Sequence, residues 1–392
     1  MAPQETSPHT VKTDADLRIL GGGLSGLLTA WRALDVNPDI TVEVVEKSDR
    51  LAGDHTWSFH ATDIAPDLRD WLAPFVAHRW PNYEVRFPER RRTLDIAYCS
   101  GNSDTLRQSI QPLIDSGRLR VRLNSSEADG DMPTLDATGY TPRDDEFPGW
   151  QKFVGRVIET AAPHGIERPV IMDATVAQLD GYRFLYLLPY SSTRLLVEDT
   201  YFSDSPHLSE NVIGARIDDY IADKGWNDHR VVRSEKGVLP MMMATDRDDD
   251  SAKIGLGGGF AVAATGFTVP HAVELADVVA QAIRRDGAGA APKAVADFRR
   301  HHLRRERYAR LLNRMFFRAA RPEKRFVILQ RFYGLKPGLI RRFYRNGLTW
   351  ADKARILIGK PPVPVSRALA NFSERRFLAR ERQRESAPRD RE

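Results

Sequence analysis

The sequence predicts an α/β protein in three parts: a Rossmann-like, dinucleotide-binding layer, an inserted and mainly antiparallel β domain, and a helical C-terminal region. Three observations predict it. Near the N-terminus a short apolar run meets a glycine-rich turn and then a helical pattern. In the middle, four strand-like segments are separated by Pro, Gly and Ser turns. From Arg299 onward, Phe, Leu, Tyr and Ile are interleaved with arginines at helical spacing. At 392 residues and 42% hydrophobic content, the chain can bury a large core in two or three domains.

The first observation is the most specific. Leu17 to Leu20 reads as a buried strand, and Leu24, Leu27, Leu28, Trp31 and Leu34 as one face of a helix. Gly21, Gly23 and Gly26 fit G-x-G-x-x-G across the join. Gly21 permits the sharp turn, Gly23 lets backbone approach a pyrophosphate, and Gly26 lets helix pack on strand. Leu24 and Ser25 then open the helix, where free N–H groups and the helix dipole favour phosphate. The second strand, 40–45, ends in Glu46, placed to accept hydrogen bonds from a ribose diol.

Past a break at Gly53, His55, Thr56 and Trp57 stand where an extended cofactor would continue. The same spacing fits Trp57 and Phe59 in a core with His55 and His60 at the surface. Trp71, Leu72, Phe75 and Val76 suggest one helix face; 83–87 alternates as a strand, and 89–93 reads as a solvated hairpin turn. After a helix over 105–114, residues 133–139 bring a short strand to Gly139, where the chain would return to the nucleotide-binding sheet.

Segments 153–158, 170–175, 183–188 and 194–200 make the antiparallel domain. Their aromatic and apolar residues suit an apolar ligand or an ordinary core equally. Glu198 and Asp199 interrupt an apolar strand and point to opposite faces. A carboxyl facing an apolar pocket is driven toward its neutral form and becomes a candidate acid; two solvated edge-strand carboxylates are the alternative. Further on, 217–224 reads as helix, 236–240 and 254–259 as a return to sheet, and 272–284 as helix. Gly258, Gly259, Thr265 and Gly266 form a glycine-rich strand feeding a helix start, with N–H groups aimed at a cofactor. The expected domains are nucleotide binding (14–60, 104–140 and 235–285), substrate binding (61–103 and 141–234) and basic helical (286–372). Residues 1–13 and 373–392 are expected to be disordered.

A single cysteine, Cys99, excludes an internal disulfide and a Cys-based metal site, and no metal is expected; a reducing compartment follows. Residues 1–13 are polar and unlike a signal peptide, and no apolar run reaches membrane-spanning length. The net charge of +5 hides a split: 27 Lys+Arg against 8 Asp+Glu from Arg299 onward, and 31 against 45 before it. An acidic body with a basic tail suggests an anionic surface as partner. No zinc-finger spacing, RNA-binding sheet motif or recognition helix supports nucleic acid. Aromatics beside arginines at 314–318, 331–333 and 341–345 suit a membrane surface; alternatively Phe316, Phe332 and Phe343 pack inward.

Several segments together resemble the flavin-dependent lycopene cyclases of carotenoid biosynthesis, in their bacterial β-cyclase form. They are Gly21 to Gly26 with Glu46, residues 55–60, 181–184 with 196–200, 235–240, and 351–357 with 359–364. The resemblance implies FAD in a two-dinucleotide fold and a reaction without net redox change. In that reaction a terminal alkene of lycopene is protonated, the next alkene closes a six-membered ring, and proton loss gives a β-ionone ring, hence γ- and β-carotene. It also implies reduced FAD as the active form, NAD(P)H as reductant, lycopene and related linear carotenoids as substrates, and Glu198, with Asp199 beside it, as the catalytic carboxyl, whether as acid, base or cation stabiliser. Lycopene is essentially insoluble in water, so the expected location is cytoplasmic and peripheral to the cell membrane, on anionic lipid. A monooxygenase or isoprenoid reductase on the same scaffold is the alternative. Where the family is expected to read His-Pro-Thr-Thr-Gly-Tyr, this chain has 262–267, Val-Ala-Ala-Thr-Gly-Phe, keeping Gly266 but not the imidazole or the phenol.

Overall fold

The structure, a computed structural model, describes residues 15–127, 130–247, 249–358 and 363–386. The segment 1–13, expected to be disordered, lies outside the described residues, as do 359–362 and 387–392.

Strands Leu119–Arg122, Val42–Val45, Leu17–Leu20 and Thr134–Asp136 lie side by side in that order, all parallel. Each is short and rich in Leu and Val, as strands covered on both faces must be. Arg18, inside the first of them, is fully buried and pairs with Glu43 on the neighbouring strand at 2.7 Å. Helices Leu24–Val36 and Val269–Asp286 pack together against this sheet through Leu27, Leu28, Ala272, Ala276 and Val279. The expected return of the chain at 133–139 is the strand Thr134–Asp136. Helix Ser103–Asp115 starts where Asn102 accepts from the Thr105 N–H at 3.0 Å.

The second sheet has seven strands, ordered His229–Thr245, Glu146–Thr160, Arg194–Ser203, Tyr182–Pro189, Val170–Asp173, Tyr83–Phe87 and Arg90–Leu94. All neighbours are antiparallel except Val170–Asp173 against Tyr83–Phe87, so the mainly antiparallel expectation holds. Four local expectations do not. Residues 89–93 are not a turn, since Arg90–Leu94 is the strand paired with Tyr83–Phe87. Residues 71–76 are not one helix face, because a single turn, Arg69–Leu72, gives way at Ala73–Phe75 to the strand Val76–Trp80. Residues 235–245 belong to the seven-stranded sheet and not to the nucleotide-binding layer, since His229–Thr245 pairs with Glu146–Thr160 along its length. Gly237 marks no boundary there; the Phe153 ring fills the place its Cβ would take, at 2.6 Å. Residues 254–259 are a 3-10 turn, Gly255–Gly258, not a strand, with one bridge from Lys253 to Asp136.

One face of this sheet is covered by helix Glu210–Asp223 through Ile213, Ile217 and Ile221. The other is covered by the C-terminal helices, which bury Phe316, Phe317, Phe332, Tyr333, Tyr344 and Phe377. The inward-packing alternative therefore holds for Phe316 and Phe332, with Phe343 packed on them. Many of the tail's arginines also turn inward. Arg314 donates to the Met243 and Asn371 carbonyls at 2.6 and 2.9 Å; Arg325 donates to the Phe316 and Phe317 carbonyls and to Asp204. Disorder from 373 is a misreading, for Glu374–Ser386 is a helix. Its sequence is highly charged, but Phe377 is fully buried and Glu374 pairs with Arg310 at 2.5 Å.

Arg325→Leu strips hydrogen bonds from the Phe202, Phe316 and Phe317 carbonyls and from Asp204. It is expected to cost about 2–4 kcal/mol, read as a lower midpoint in thermal unfolding of flavin-loaded protein; an unchanged midpoint contradicts the assignment.

Candidate active site

A cavity of about 530 Å³ lies where the two sheets and the C-terminal helices meet. At one end is the glycine turn. Gly21 has φ +100°, and a Cβ there would meet the Ala137 carbonyl oxygen at 2.5 Å; one on Gly26 would meet the Gly21 oxygen at 2.1 Å. Gly23 differs, because nothing lies within 4 Å of the place its Cβ would take. It is the N-cap of Leu24–Val36 with no side-chain cap, so helix-start N–H groups face open space. Gly21, Gly23, Leu24, Ser25 and Glu46 all line the cavity. Glu46 is fixed by the Gly22 and Ser48 N–H groups at 2.7 and 2.9 Å, and its oxygens keep lone pairs for a further donor.

A second uncapped helix start, Thr268 before Val269–Asp286, faces the same cavity beside Thr265 and Gly266. The loop leading to it is clamped from behind. Glu306 accepts from the Ala263 N–H at 2.9 Å, Asn313 donates to the Ala263 carbonyl at 2.6 Å, and His302 Nε2 lies 3.1 Å from the Gly259 carbonyl oxygen. Burial lowers the His302 pKa to about 3, keeping that ring neutral. Gly258 and Gly259 are therefore misplaced as cofactor ligands. Gly258 abuts the Phe260 ring, and Gly259 lines a separate small cavity with His302 and Glu306. The earlier part of that glycine run does reach the cavity, with Gly255 and Leu256 in the wall, as do Thr138 and Gly139. A glycine-rich run signals close approach but not which residue makes it.

His55, Thr56 and Trp57 form the wall between the two ends. The Thr56 hydroxyl accepts from Arg233 at 2.5 Å; burial and then the Arg233 charge lower the His55 pKa. His60 is not at the surface. It is buried among the rings of Tyr83, Tyr98, Phe267 and Tyr344, so Phe267 fills the departed tyrosine position by packing alone.

The far half of the cavity is aromatic, walled by Phe153, Phe184, Tyr186, Phe202, Phe332, Phe343 and Tyr344. Strand alternation sorts Arg194–Ser203 cleanly. Glu198 and Phe202 face the cavity, while Val197 and Tyr201 face the helix Glu210–Asp223. Asp199 follows the second set: fully buried, it accepts from Arg183 at 2.9 Å and from the Tyr201 hydroxyl at 2.8 Å. Asp199 is thus a structural ion-pair partner outside the cavity, and its expected catalytic place is corrected. Glu198 has one close donor, the Thr200 hydroxyl at 2.5 Å. Burial first, and the nearby Glu235 second, raise its pKa to about 8, so it carries a proton at neutral pH.

A parallel nucleotide layer joined to an antiparallel sheet over one cavity defines a class, the fold of flavin-dependent monooxygenases and reductases. A geranylgeranyl bacteriochlorophyll reductase-like protein from Thermoplasma acidophilum superposes with a TM-score of 0.60, at 11% identity, covering 92% of this chain and 99% of that one. The flavin-dependent brominase Bmp2 superposes at 0.61, with 13% identity and coverage of 88% and 97%. At such identities the likeness is one of fold. The chain belongs to the lycopene cyclase family, whose model, described as lycopene cyclase protein, matches residues 16–370, and it is an enzyme. The lycopene beta-cyclase of Pseudescherichia vulneris is 39% identical over 92% of this chain and 99% of its own length; that of Paracoccus sp. is 40% identical over 93% and 98%.

Proposed function

We propose that the protein is a lycopene β-cyclase that closes the linear ends of lycopene to β-ionone rings, giving γ- and β-carotene, with no net redox change. The observation that carries this reading is Glu198, a buried carboxyl in the wall of an aromatic cavity, which burial pushes toward its protonated form, with Glu46 at the opposite end the other acidic side chain in that wall. A carboxyl that burial keeps in its protonated form has a proton to give to an alkene carbon, and the aromatic wall excludes the water that would compete for it. A monooxygenase or isoprenoid reductase is the competing reading. Expression in a lycopene-accumulating host separates them: an isomer of lycopene is expected, whereas an added oxygen or added hydrogens contradicts the cyclase.

The cavity fits FAD on its own geometry. Two uncapped helix starts face it, Gly23 leaves open the space a phosphate needs, and Glu46 stands at the strand end for the ribose. FAD in its reduced form, with NAD(P)H as electron source, would supply negative charge to stabilise a cation in this cavity. The chain's own groups do the rest. The Glu198 O–H bond breaks as its proton passes to the terminal alkene carbon. The next alkene attacks the resulting cation, and loss of a ring proton to the carboxylate restores Glu198. Aromatic faces of Phe184, Phe202 and Tyr186 stabilise the positive charge where water is excluded.

The reading includes peripheral attachment to anionic membrane, through a surface other than the one the sequence pointed to. No helix among the described residues is long and apolar enough to cross a membrane. Helices Trp350–Leu357 and Val365–Phe372 leave Trp350, Ile358, Val365, Leu369 and Phe372 exposed by 85, 64, 60, 70 and 58%. Exposed Arg355, Arg367, Arg375 and Arg376 accompany them. A smaller cavity of about 190 Å³ runs from Leu357, Val363 and Ala368 to Phe202, Leu329 and Phe332, residues it shares with the wall around Glu198. This is an apolar route from patch to acid. Each cation at an anionic surface contributes on the order of 1 kcal/mol. Co-sedimentation with liposomes is expected to rise with anionic lipid, fall with salt, and drop in Leu369→Glu. Equal recovery from neutral and anionic vesicles at every ionic strength contradicts attachment by charge.

A further inference from the structure

The strand register brings together two carboxyls that are far apart in sequence. Gly155, on the central strand Glu146–Thr160, pairs with Glu198 on one side and with Glu235 on the other. Residues directly opposite share a face. Gln151 and Phe153 mark that face as the cavity side on the central strand, and Gly237 and Leu239 mark it on His229–Thr245. Tyr186 lies beyond Glu198, so the row reads Tyr186, Glu198, Gly155, Glu235. A Cβ on Gly155 would sit 3.1 Å from Glu235 Cγ and 3.4 Å from Glu198 Cβ, so both side chains border the gap the glycine leaves.

We infer that Glu235 is a positioning residue for the reaction, its carboxyl sharing a single proton with Glu198 across the Gly155 gap so that Glu198 stands ready as an acid. The inference rests on the cyclase reading above. Glu235 is buried and is not among the residues of the cavity wall, so it acts through Glu198. Its Oε2 has no hydrogen-bond partner. The neighbouring cation is Arg233, 3.5 Å away, whose closer bond goes to Thr56. The other charged or titratable groups around the pair are Asp54, Asp199, Tyr98, Tyr186 and Tyr190. Two carboxyls with one guanidinium in a desolvated site retain one proton between them. Burial raises the Glu235 pKa as it does that of Glu198, so neither carboxyl is a cheap place for a second negative charge. When Glu198 gives its proton to the alkene, the pair is left doubly charged beside the cation, and the proton shed by the ring restores the starting state. Nothing is oxidised or reduced.

The test is the pH profile of lycopene conversion by full-length, flavin-loaded protein, with Glu235→Gln, Gly155→Ala and Glu198→Gln in parallel. A difference infrared titration of the protonated-carboxyl stretch accompanies it. Glu235→Gln removes a negative charge that favours protonated Glu198, so the fall in rate at high pH is expected to move down by about one pH unit. The infrared band should move with it, and rate above the old midpoint should drop about tenfold. Gly155→Ala, which forces the two side chains apart, should move both in the same direction and carries the test if Glu235→Gln fails to hold flavin. An unmoved limb and band, with Glu198→Gln inactive, overturns the role of Glu235 alone. A Glu198→Gln enzyme that still converts lycopene overturns the assignment of Glu198, and this inference with it.

Discussion

Glu198→Gln is expected to keep its flavin and leave lycopene unconverted, with turnover lower by about a hundred- to a thousandfold. The substitution keeps size and shape but removes the only proton a carboxyl at that place can give. The Thr200 hydroxyl can still donate to the amide oxygen, so the strand keeps its local bond. Asp199→Asn tests the opposite face. It weakens the buried pair with Arg183 and should lower thermal stability more than it lowers the rate per folded molecule. Chromatography of pigments with flavin absorbance on the same samples reads both. Near-normal conversion by Glu198→Gln would remove the acid from this site.

Gly23→Val is expected to yield a folded but colourless protein. The Gly23 backbone is extended, at φ −84° and ψ −171°, which valine adopts without strain, and no protein atom lies within 4 Å of its Cβ position. The methyl groups would instead fill the space left open at the helix start, where a pyrophosphate must approach. Gly26→Ala is the contrast, because its Cβ would lie 2.1 Å from the Gly21 carbonyl oxygen and disrupt the strand-to-helix join itself. The pair of variants separates loss of cofactor from loss of fold. Stoichiometric flavin in Gly23→Val contradicts the assignment of this loop.

The parallel layer was legible because its signals are local: an apolar strand, three glycines, a helix face and an acid at the next strand end all lie within 30 residues. Glu198 and Asp199 were legible as a pair facing opposite ways, since alternation along a strand needs no tertiary knowledge. Which of them faces the cavity was not, and neither was Glu235, because sheet register is a long-range property. Gly155 looked like an unremarkable glycine until two strands were seen to flank it. The C-terminal region misled for a related reason. Composition shows that Arg314 and Arg325 are cationic, but not that each ends on buried carbonyls of other segments. Conversely, Val365, Leu369 and Phe372 repeat at the spacing of a helix face, and only the structure reveals that no described residue covers it. The domain boundary at 235 slipped because a return to sheet at 236–240 does not say which sheet, and Gly237 sits under the Phe153 ring while Pro240 pairs opposite Trp150 in the seven-stranded one.

The central claim is acid–base ring closure, and a single turnover of lycopene by excess reduced, flavin-loaded protein already equilibrated in deuterated water tests it most directly, because the ring hands its own proton back to Glu198. The account predicts a cyclic isomer of lycopene in which one hydrogen is replaced by one solvent-derived deuterium for each ring formed, bound to the carbon that received the proton. A cyclic product without deuterium, or one carrying an added oxygen or an added pair of hydrogens, would contradict it.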